Sequence, residues 1–356
     1  MGETFSEINE KKSHITKVIK AEEKMFLKTL DKGIEIFDNI VHQMSPRETT
    51  IAGKEVFNLY DTFGFPIDLT SLMAREKGLF INMDEYNDLM DKQKKRARDA
   101  HTFKVKDSDI NWTIIDKTIK KTKFEGYEKD SLETKVIMFN YNQRENSILV
   151  ALERTPFYPE SGGQVGDKGN IIGDGFDLEV HDTQYYDDYI VHYCKLIKGE
   201  FKKPYIVKAC IDVNIRNRTK LNHTATHLLH EALKQILGEH VQQAGSFVGS
   251  DYLRFDLTHY DKINDEQIYQ IETIVNKMIL KNIELKNQVM SIDQAKSEGA
   301  IAIFGEKYGS QVRVVDVPGF SKELCGGTHV KNTSEIGMFK ITSESALAAG
   351  IRRIEA

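Results

Sequence analysis

Residues 218–238, RTKLNHTATHLLHEALKQILG, carry the reading that decides the fold. Leu221, Ala225, Leu228, Leu229, Ala232, Leu233 and Ile236 fall on one face of an α-helix, and Gly238 supplies its stop. On that helix His223 and His227 stand four apart, so their rings project from one side about one turn apart. Two imidazoles so placed can share a metal ion, although the spacing alone is unspecific. His230 continues the helix off that seam and is expected to cap or pack.

A second pair follows at residues 321–329, SKELCGGTH, where Cys325 and His329 are again four apart. One reading is a small buried thiol beside a tight turn. The other lets Gly326 and Gly327 fold the backbone so that thiolate and imidazole face one point. Four nitrogen and sulfur donors in two pairs suit one tetrahedral zinc ion better than magnesium or calcium. Four protein ligands would close the site and make it structural. Thr224 and Thr226 between the histidines also suit a zinc with a displaceable ligand, able to polarise an ester carbonyl or position a water. The spacing leaves both open. A catalytic Cys325–His329 pair is a weaker reading, because zinc ligation explains both residues and their partners. A zinc peptidase fails, because Thr224 stands where its pattern needs glutamate.

Outward from these pairs, YLRFDLTHY and VRVVDVPGF alternate as strands, GMFKITSESA reads as another, and residues 265–280 read as a helix. Upstream, KVIMFN, SILVALE, FDLEVHDTQY, YIVHYCKL and YIVKACID are short β-rich runs separated by turns, the signature of a small antiparallel barrel or sandwich. Among them FYPESGGQVGDKG crowds Gly162, Gly163, Gly166 and Gly169 into eight positions, a weak motif by itself. Residues 15–41 repeat Ile15, Ile19, Phe26, Leu30, Ile34, Phe37 and Val41 at helical steps. A helix, a break at Gly64–Pro66, a helix capped from Asp68 or Thr70, and a helix behind Asp84 complete the N-terminal part. The expected fold class is α+β and multidomain. Residues 1–105 form a helical segment, residues 106–215 a small antiparallel β-barrel with the glycine-rich motif, and residues 216–356 an α/β two-layer zinc-containing domain.

The 356 residues are 40% hydrophobic and 29% charged, ordinary for a globular protein, with no stretch long and apolar enough to span a membrane. The net charge of -5 announces no nucleic acid globally. Locally, KQKKRAR at 92–98 places five cations in seven positions, either a solvated helix face or a phosphate-contacting patch. Three cysteines, Cys194, Cys210 and Cys325, argue against a disulfide framework and for a reducing cytoplasm.

HTATHLLH, HVQQAGSFVGSDYLRFDLTH, IAIFGEKYGSQVRVVDV, SKELCGGTHV and ESALAAGIRRIEA together resemble the editing domain of the alanyl-tRNA synthetase family. ITKVIKAEEKMFLKTLDKGI, LYDTFGFPIDLT and FYPESGGQVGDKG resemble the same family in the same order. Leu257, Ile301 and Ala346 stand where the family more often has Phe, Met and Gly. The resemblance implies a hydrolase for the ester of mischarged tRNA(Ala), chiefly seryl- and also glycyl-tRNA. It makes His223, His227, Cys325 and His329 the ligands of one zinc ion, and puts Thr226 and Gln243 in the pocket that recognises the serine moiety. It gives Asp61 a part in reading the acceptor stem, and Lys94, Lys95, Arg96 and Arg98 contacts to phosphates. Arg352 and Arg353 become candidate phosphate contacts near the site, and Gly162, Gly163 and Gln164 match a motif implicated in editing.

The family's catalytic domain, with its ATP and alanine sites, has no counterpart in the sequence. The resemblance therefore implies an internal piece that does not ligate alanine, ATP being used only by the full-length enzyme. The piece is expected to be monomeric, with oligomerisation through a C-terminal segment of the full-length protein. Two rivals remain, a free-standing alanyl-tRNA editing protein and a noncatalytic RNA-binding module with purely structural zinc.

Overall fold

The computed structural model describes residues 9, 12–45, 47–101, 110–142, 144–203, 205–301, 309–348 and 350–356. The chain divides into two units, Met1–Asp109 and Ile110–Ala356.

In the first unit, helices α1 (Lys12–Gln43), α2 (Gly53–Asp61), α3 (Ile67–Glu76) and α4 (Met83–His101) accompany one short parallel pairing of β1 (Thr50–Ile51) with β2 (Phe80–Ile81). Phe37, Ile51, Val56, Leu59, Phe65, Ala74 and Tyr86 make its core. The periodic stripe of α1 forms the expected helix, but only its C-terminal part is buried. Phe37 is 0% exposed, whereas Ile19 and Phe26 are 53% and 50% exposed. Two helix starts differ from expectation. Pro66, not Asp68 or Thr70, is the residue before α3, because its fixed φ already suits a helix entry, and the Thr70 hydroxyl donates back to the Pro66 carbonyl at 3.2 Å. Helix α4 begins at Met83, two residues earlier than a start behind Asp84, because Asn82 Oδ1 accepts the Glu85 N–H at 3.2 Å.

The second unit begins with β3 (Thr113–Ile114), β4 (Lys123–Phe124), β5 (Ser131–Asn142), β6 (Ser147–Leu152), β7 (Arg154–Thr155), β8 (Gly169–Gly173), β9 (Phe176–Tyr186), β10 (Tyr189–Gly199) and β11 (Ile206–Ile211). Six of these close an antiparallel barrel in the order β11-β8-β9-β10-β6-β5, and β11 pairs back onto β5 from Ile206↔Lys135 to Cys210↔Ser131. Closure joins the two ends of the sheet through the first half of β5. Strand β3 adds to the outer side of β5, and β4 pairs with β7. The five expected β-runs occupy β5, β6, β9, β10 and β11. The sixth, β8, escapes a sequence reading because it is five residues long with glycine at both ends. Val136, Val150, Leu152, Leu178, Val180, Cys194 and Val207 fill the interior.

His192 is buried with them. Its Nδ1–H donates to the Val150 carbonyl at 2.9 Å, and its Nε2 accepts the Thr155 hydroxyl at 2.8 Å. Burial lowers its pKa from 6.5 to about 4. A folded-state pKa below the unfolded one means the unfolded chain takes up the proton first as pH falls. Stability is therefore expected to be constant in this group above pH 6.5 and to fall between 6.5 and about 4, by roughly 3 kcal/mol over the window. Urea midpoints measured across that range check it, with a flatter profile expected for His192→Gln.

Helix α5 (Val213–Leu237) starts two residues after β11, where Asp212 Oδ1 accepts the N–H groups of Asn214 and Ile215 at 2.9 and 3.0 Å. Then follow β12 (Gln243–Val248), β13 (Leu253–Thr258), α6 (Asp265–Leu280), β14 (Lys286–Ser291), α7 (Ile292–Ser297), β15 (Gln311–Val317), β16 (Ser321–Leu324), β17 (Ser343–Ala348) and β18 (Ile351–Glu355). They form a four-stranded sheet, β12-β13-β18-β17, and a three-stranded sheet, β14-β15-β16. Leu228, Leu229, Ala232 and Leu233 of α5 share one core with Ile271 and Val275 of α6, Phe255, Leu257 and Ile354 of the larger sheet, and Val315 and Val317 of the smaller. Each buried Leu, Ile, Val or Phe among them contributes about 1.5–3 kcal/mol, and together they fix the α5 face that carries the histidines. Of GMFKITSESA, only the part from Ser343 joins a ladder.

Candidate metal centre

Helix α5 and the loop after β16 bring His223, His227, Cys325 and His329 together, with one donor atom of each lying within 4.8 Å of the others. The helical spacing stacks the His223 and His227 rings at 5.3 Å and 11°. Cys325 Sγ is 3.4 Å from His223 Nε2 and 3.3 Å from His329 Nε2. The loop is held from outside. Arg313 Nη1 donates to the carbonyls of Cys325 and Gly327 at 3.0 and 2.8 Å, and the Tyr127 hydroxyl donates to the Gly326 carbonyl at 2.5 Å.

Each imidazole is oriented through its other nitrogen. The His223 Nδ1–H donates to Gln164 Oε1 at 2.7 Å, and the Thr328 N–H, 2.8 Å from the same oxygen, fixes which way that amide points. The His227 Nδ1–H donates to Glu323 Oε2 at 2.7 Å, and His329 Nδ1 meets Thr224 Oγ1 at 3.1 Å. A proton on each Nδ1 leaves each Nε2 lone pair facing the common point. His227 Nε2 is buried with no hydrogen-bond partner among the described residues. Three oriented imidazoles, a thiol and an orphaned buried nitrogen fit a tetrahedral zinc, with supports of the kind that fix ligand tautomers.

The electrostatics agree. Burial alone would raise the Cys325 thiol, but the three surrounding histidines hold it well below the usual thiol range. Burial opposes charge on His227, yet Glu323 and the Cys325 thiolate outweigh it and raise that imidazole to about 10, so a metal would bind its Nε2 by displacing the proton that nitrogen otherwise carries. Burial would raise Glu323 as well, but His227 and His230 keep it ionised. For His329, burial and the adjacent His223 lower the pKa to about 3, so it stays a neutral donor.

The glycine-rich motif reaches this centre through one side chain. Ser161 and Gln164 exchange backbone hydrogen bonds at 3.1 and 3.0 Å across Gly162 and Gly163, whose φ of 59° and 84° define a two-residue hairpin turn. A Cβ on Gly163 would sit 2.8 Å from the Ser246 carbonyl oxygen, so only glycine lets the hairpin lie against β12. The Gly163 carbonyl accepts the Val248 N–H at 2.7 Å, and the fully buried Gln164 reaches His223 and Thr328. Beyond it, Asp167 receives a bidentate bond from Arg216 of α5, itself 0% exposed and donating also to the carbonyls of Gly126 and Pro156 at 2.7 and 2.9 Å.

The CGGTH glycines work differently from expectation. Neither Gly326 nor Gly327 has a positive φ, and a Cβ on Gly326 would meet nothing. A Cβ on Gly327 would overlap the His223 ring, so this glycine is needed for close approach. Gly327→Ala is expected to push the ring aside and lower zinc affinity about 10–100-fold, the scale of disturbing a ligand's support. Competition with a chelating dye measures it, with Gly326→Ala as the neutral comparison.

The Thr226 hydroxyl, next to His227, donates to the Asn222 carbonyl at 2.8 Å, and Gln243 opens β12. Asp61 ends α2, exposed, with its carboxylate bonded by Gln93. Lys94 is exposed on α4, while the side chains of Lys95, Arg96 and Arg98 lie outside the described residues. Arg352 pairs with Glu344 at 2.5 Å, and Arg353 holds Asp256 with two bonds of 2.7 and 2.8 Å. Sequence reasoning missed Glu323, which joins His227 to His230 and gives the latter its packed position, 3.0 Å from Oε1. It also missed Arg216. A buried acid or arginine carries no local pattern, and only its partners reveal it.

A family profile described as tRNA synthetases class II (A) matches residues 1–215, and one described as Threonyl and Alanyl tRNA synthetase second additional domain matches residues 312–355. The second contains Cys325 and His329. The chain is 44% identical over 362 residues to the alanine–tRNA ligase of Legionella pneumophila (strain Corby), covering 100% of this chain and 41% of that protein. Against the alanine–tRNA ligase of Shewanella loihica it is 45% identical over 363 residues, with 100% and 41% covered. For that of Carboxydothermus hydrogenoformans the figures are 43% over 373 residues, with 100% and 42% covered. The chain thus spans about two fifths of the length of the curated relatives it matches. With a profile match over more than half its residues and 44% identity in an alignment covering the whole chain, the chain belongs to the alanyl-tRNA synthetase family.

Proposed function

We propose that this chain hydrolyses the ester of mischarged tRNA(Ala), with seryl- and glycyl-tRNA as substrates, at the His223, His227, Cys325 and His329 centre. The observation that carries the reading is the convergence of three imidazoles and a thiol on one point, each ring held through Nδ1. These four residues would hold one zinc ion, which when bound supplies a Lewis acid for an ester carbonyl or for water. Gln164, Glu323 and Thr224 keep the rings oriented, and the thiolate form of Cys325 needs no proton removed before it binds a cation. Thr226 and Gln243 are the proposed contacts to the seryl hydroxyl. Because the Thr226 hydroxyl spends its proton on Asn222, its oxygen is left to accept from the substrate. A site built to bond a hydroxyl discriminates against alanine, whose methyl group leaves those polar atoms unpaired.

In this reading the partner is tRNA(Ala). Asp61 and the cations Lys94, Lys95, Arg96 and Arg98 lie along the acceptor stem, and Arg352 and Arg353 add phosphate contacts near the site. ATP use and alanine ligation belong to the whole enzyme. The test is deacylation of Ser-tRNA(Ala) by the purified chain, with Ala-tRNA(Ala) alongside and bound zinc quantified. Serine-selective hydrolysis supports the reading. The second reading, an RNA-binding module with a closed structural zinc, is favoured by the four protein donors, which suffice to fill a tetrahedron. Binding of the RNA without release of serine supports that one instead.

A further inference from the structure

Between the start of β3 and the loop that follows it, the barrel carries a half-enclosed cavity of about 310 Å3, at the lower end of ligand-pocket sizes. Trp112, Tyr186 and Tyr189 wall it, Met138 of β5 floors it, and Lys117 and Lys120 stand at its edge. Trp112 and Tyr186 meet edge to face, with centroids 5.3 Å apart and planes at 61°. The Tyr189 hydroxyl donates to the Ile119 carbonyl at 3.1 Å, so the loop bearing both lysines is tied to the aromatic wall. Trp112 Nε1 is buried and has no acceptor among the described residues. Asp116, the one acid lining the cavity, already accepts from Thr118 and, at 3.1 Å, from Lys135. Lys117 and Lys120 make no ion pair among the described residues.

We propose that this cavity takes one unpaired nucleobase of an RNA strand, the base stacking on the aromatic wall while Lys117 and Lys120 meet the flanking phosphates. The inference rests on the reading of the chain as an RNA-acting protein and adds a contact on the barrel, apart from the metal centre. The occupant follows from the lining. Aromatic faces bordered by cations are how single-stranded nucleic acid is held without sequence preference. The buried indole N–H calls for an acceptor, which a base edge carries and an aliphatic side chain does not. A peptide carbonyl could also accept from that donor, but an apolar peptide would gain nothing from the lysines.

Trp112 is the single tryptophan of the chain, so its emission reports on this cavity alone. The experiment is a titration of the whole chain with tetra-adenylate at low salt, following tryptophan fluorescence, beside the anisotropy of the same oligonucleotide carrying a dye. Saturable quenching that tracks the anisotropy is expected. Lys117→Glu with Lys120→Glu is expected to weaken it at least about tenfold and to flatten its salt dependence, and Tyr186→Ala about tenfold or more through lost stacking. Binding by anisotropy with unchanged emission overturns the proposal, as does quenching that neither variant weakens. An indole that acrylamide cannot reach in the free chain overturns it too, because the cavity is then filled by protein. Deacylation on the same preparation separates the two readings. Hydrolysis without quenching rejects only the barrel subsite, and quenching without hydrolysis supports the subsite while rejecting the hydrolase.

Discussion

Cys325→Ala is expected to abolish stoichiometric zinc binding and to reduce deacylation of Ser-tRNA(Ala) by more than about 100-fold, beyond the cost of disturbing a ligand's support alone. The thiolate is the one anion among the four donors, and its charge offsets three imidazoles crowded within 4.8 Å. Without it, a cation there meets three imidazoles and no anionic donor, and the carboxylate of Glu323 is already engaged by His227 and His230. The fold should persist, because the α5 core of Leu228, Leu229, Ala232 and Leu233 lies on apolar partners and not on the metal. Metal analysis, circular dichroism and deacylation on one preparation check all three parts. Full hydrolysis by a zinc-free variant would sink the metal mechanism. Retained folding with loss of both metal and activity supports it.

Arg216→Met is expected to destabilise the chain by about 3–5 kcal/mol, the cost of leaving a buried charge without its partner. Asp167 is 4% exposed, and among the described residues its carboxylate accepts, besides Arg216, only the Tyr158 N–H, at 2.6 Å. The carbonyls of Gly126 and Pro156 lose their donors in the same step. A matched loss in Asp167→Asn, and a double variant less damaged than the sum of the two, would show that the cost lies in the orphaned partner. Urea unfolding measures all three. A change below about 1 kcal/mol in Arg216→Met would mean that water replaces the guanidinium, and would refute the argument.

Much of the metal centre was legible because a helix turns four residues into one turn, so His223 and His227 declare a shared face without any tertiary knowledge. Cys325 and His329 were legible as a pair, but the purpose of their glycines was not. Sequence suggests backbone freedom at Gly327, and the structure uses it to admit an imidazole from another element. Glu323 and Gln164 were illegible as supports because each meets its histidine across a long span of chain, and an acid in a strand or a glutamine beside glycines looks like any surface residue. The barrel was legible through alternation in its long strands and obscure at β8, where glycine interrupts the pattern. Helix α1 teaches the converse. Its period predicts the helix correctly, yet Ile19 and Phe26 remain half exposed, since periodicity reports which face is apolar and not what covers it.

The reach of Gln164 bears on how the chain can be divided. A piece cut at the end of β11 would keep every metal-binding side chain and would look self-sufficient on paper. It would nonetheless lack the amide that orients His223, and it would present Arg216 stripped of its carboxylate and both carbonyl acceptors. Minimal versions made for crystallography or inhibitor screening should therefore retain the barrel, because half of the seat for the first histidine is made there.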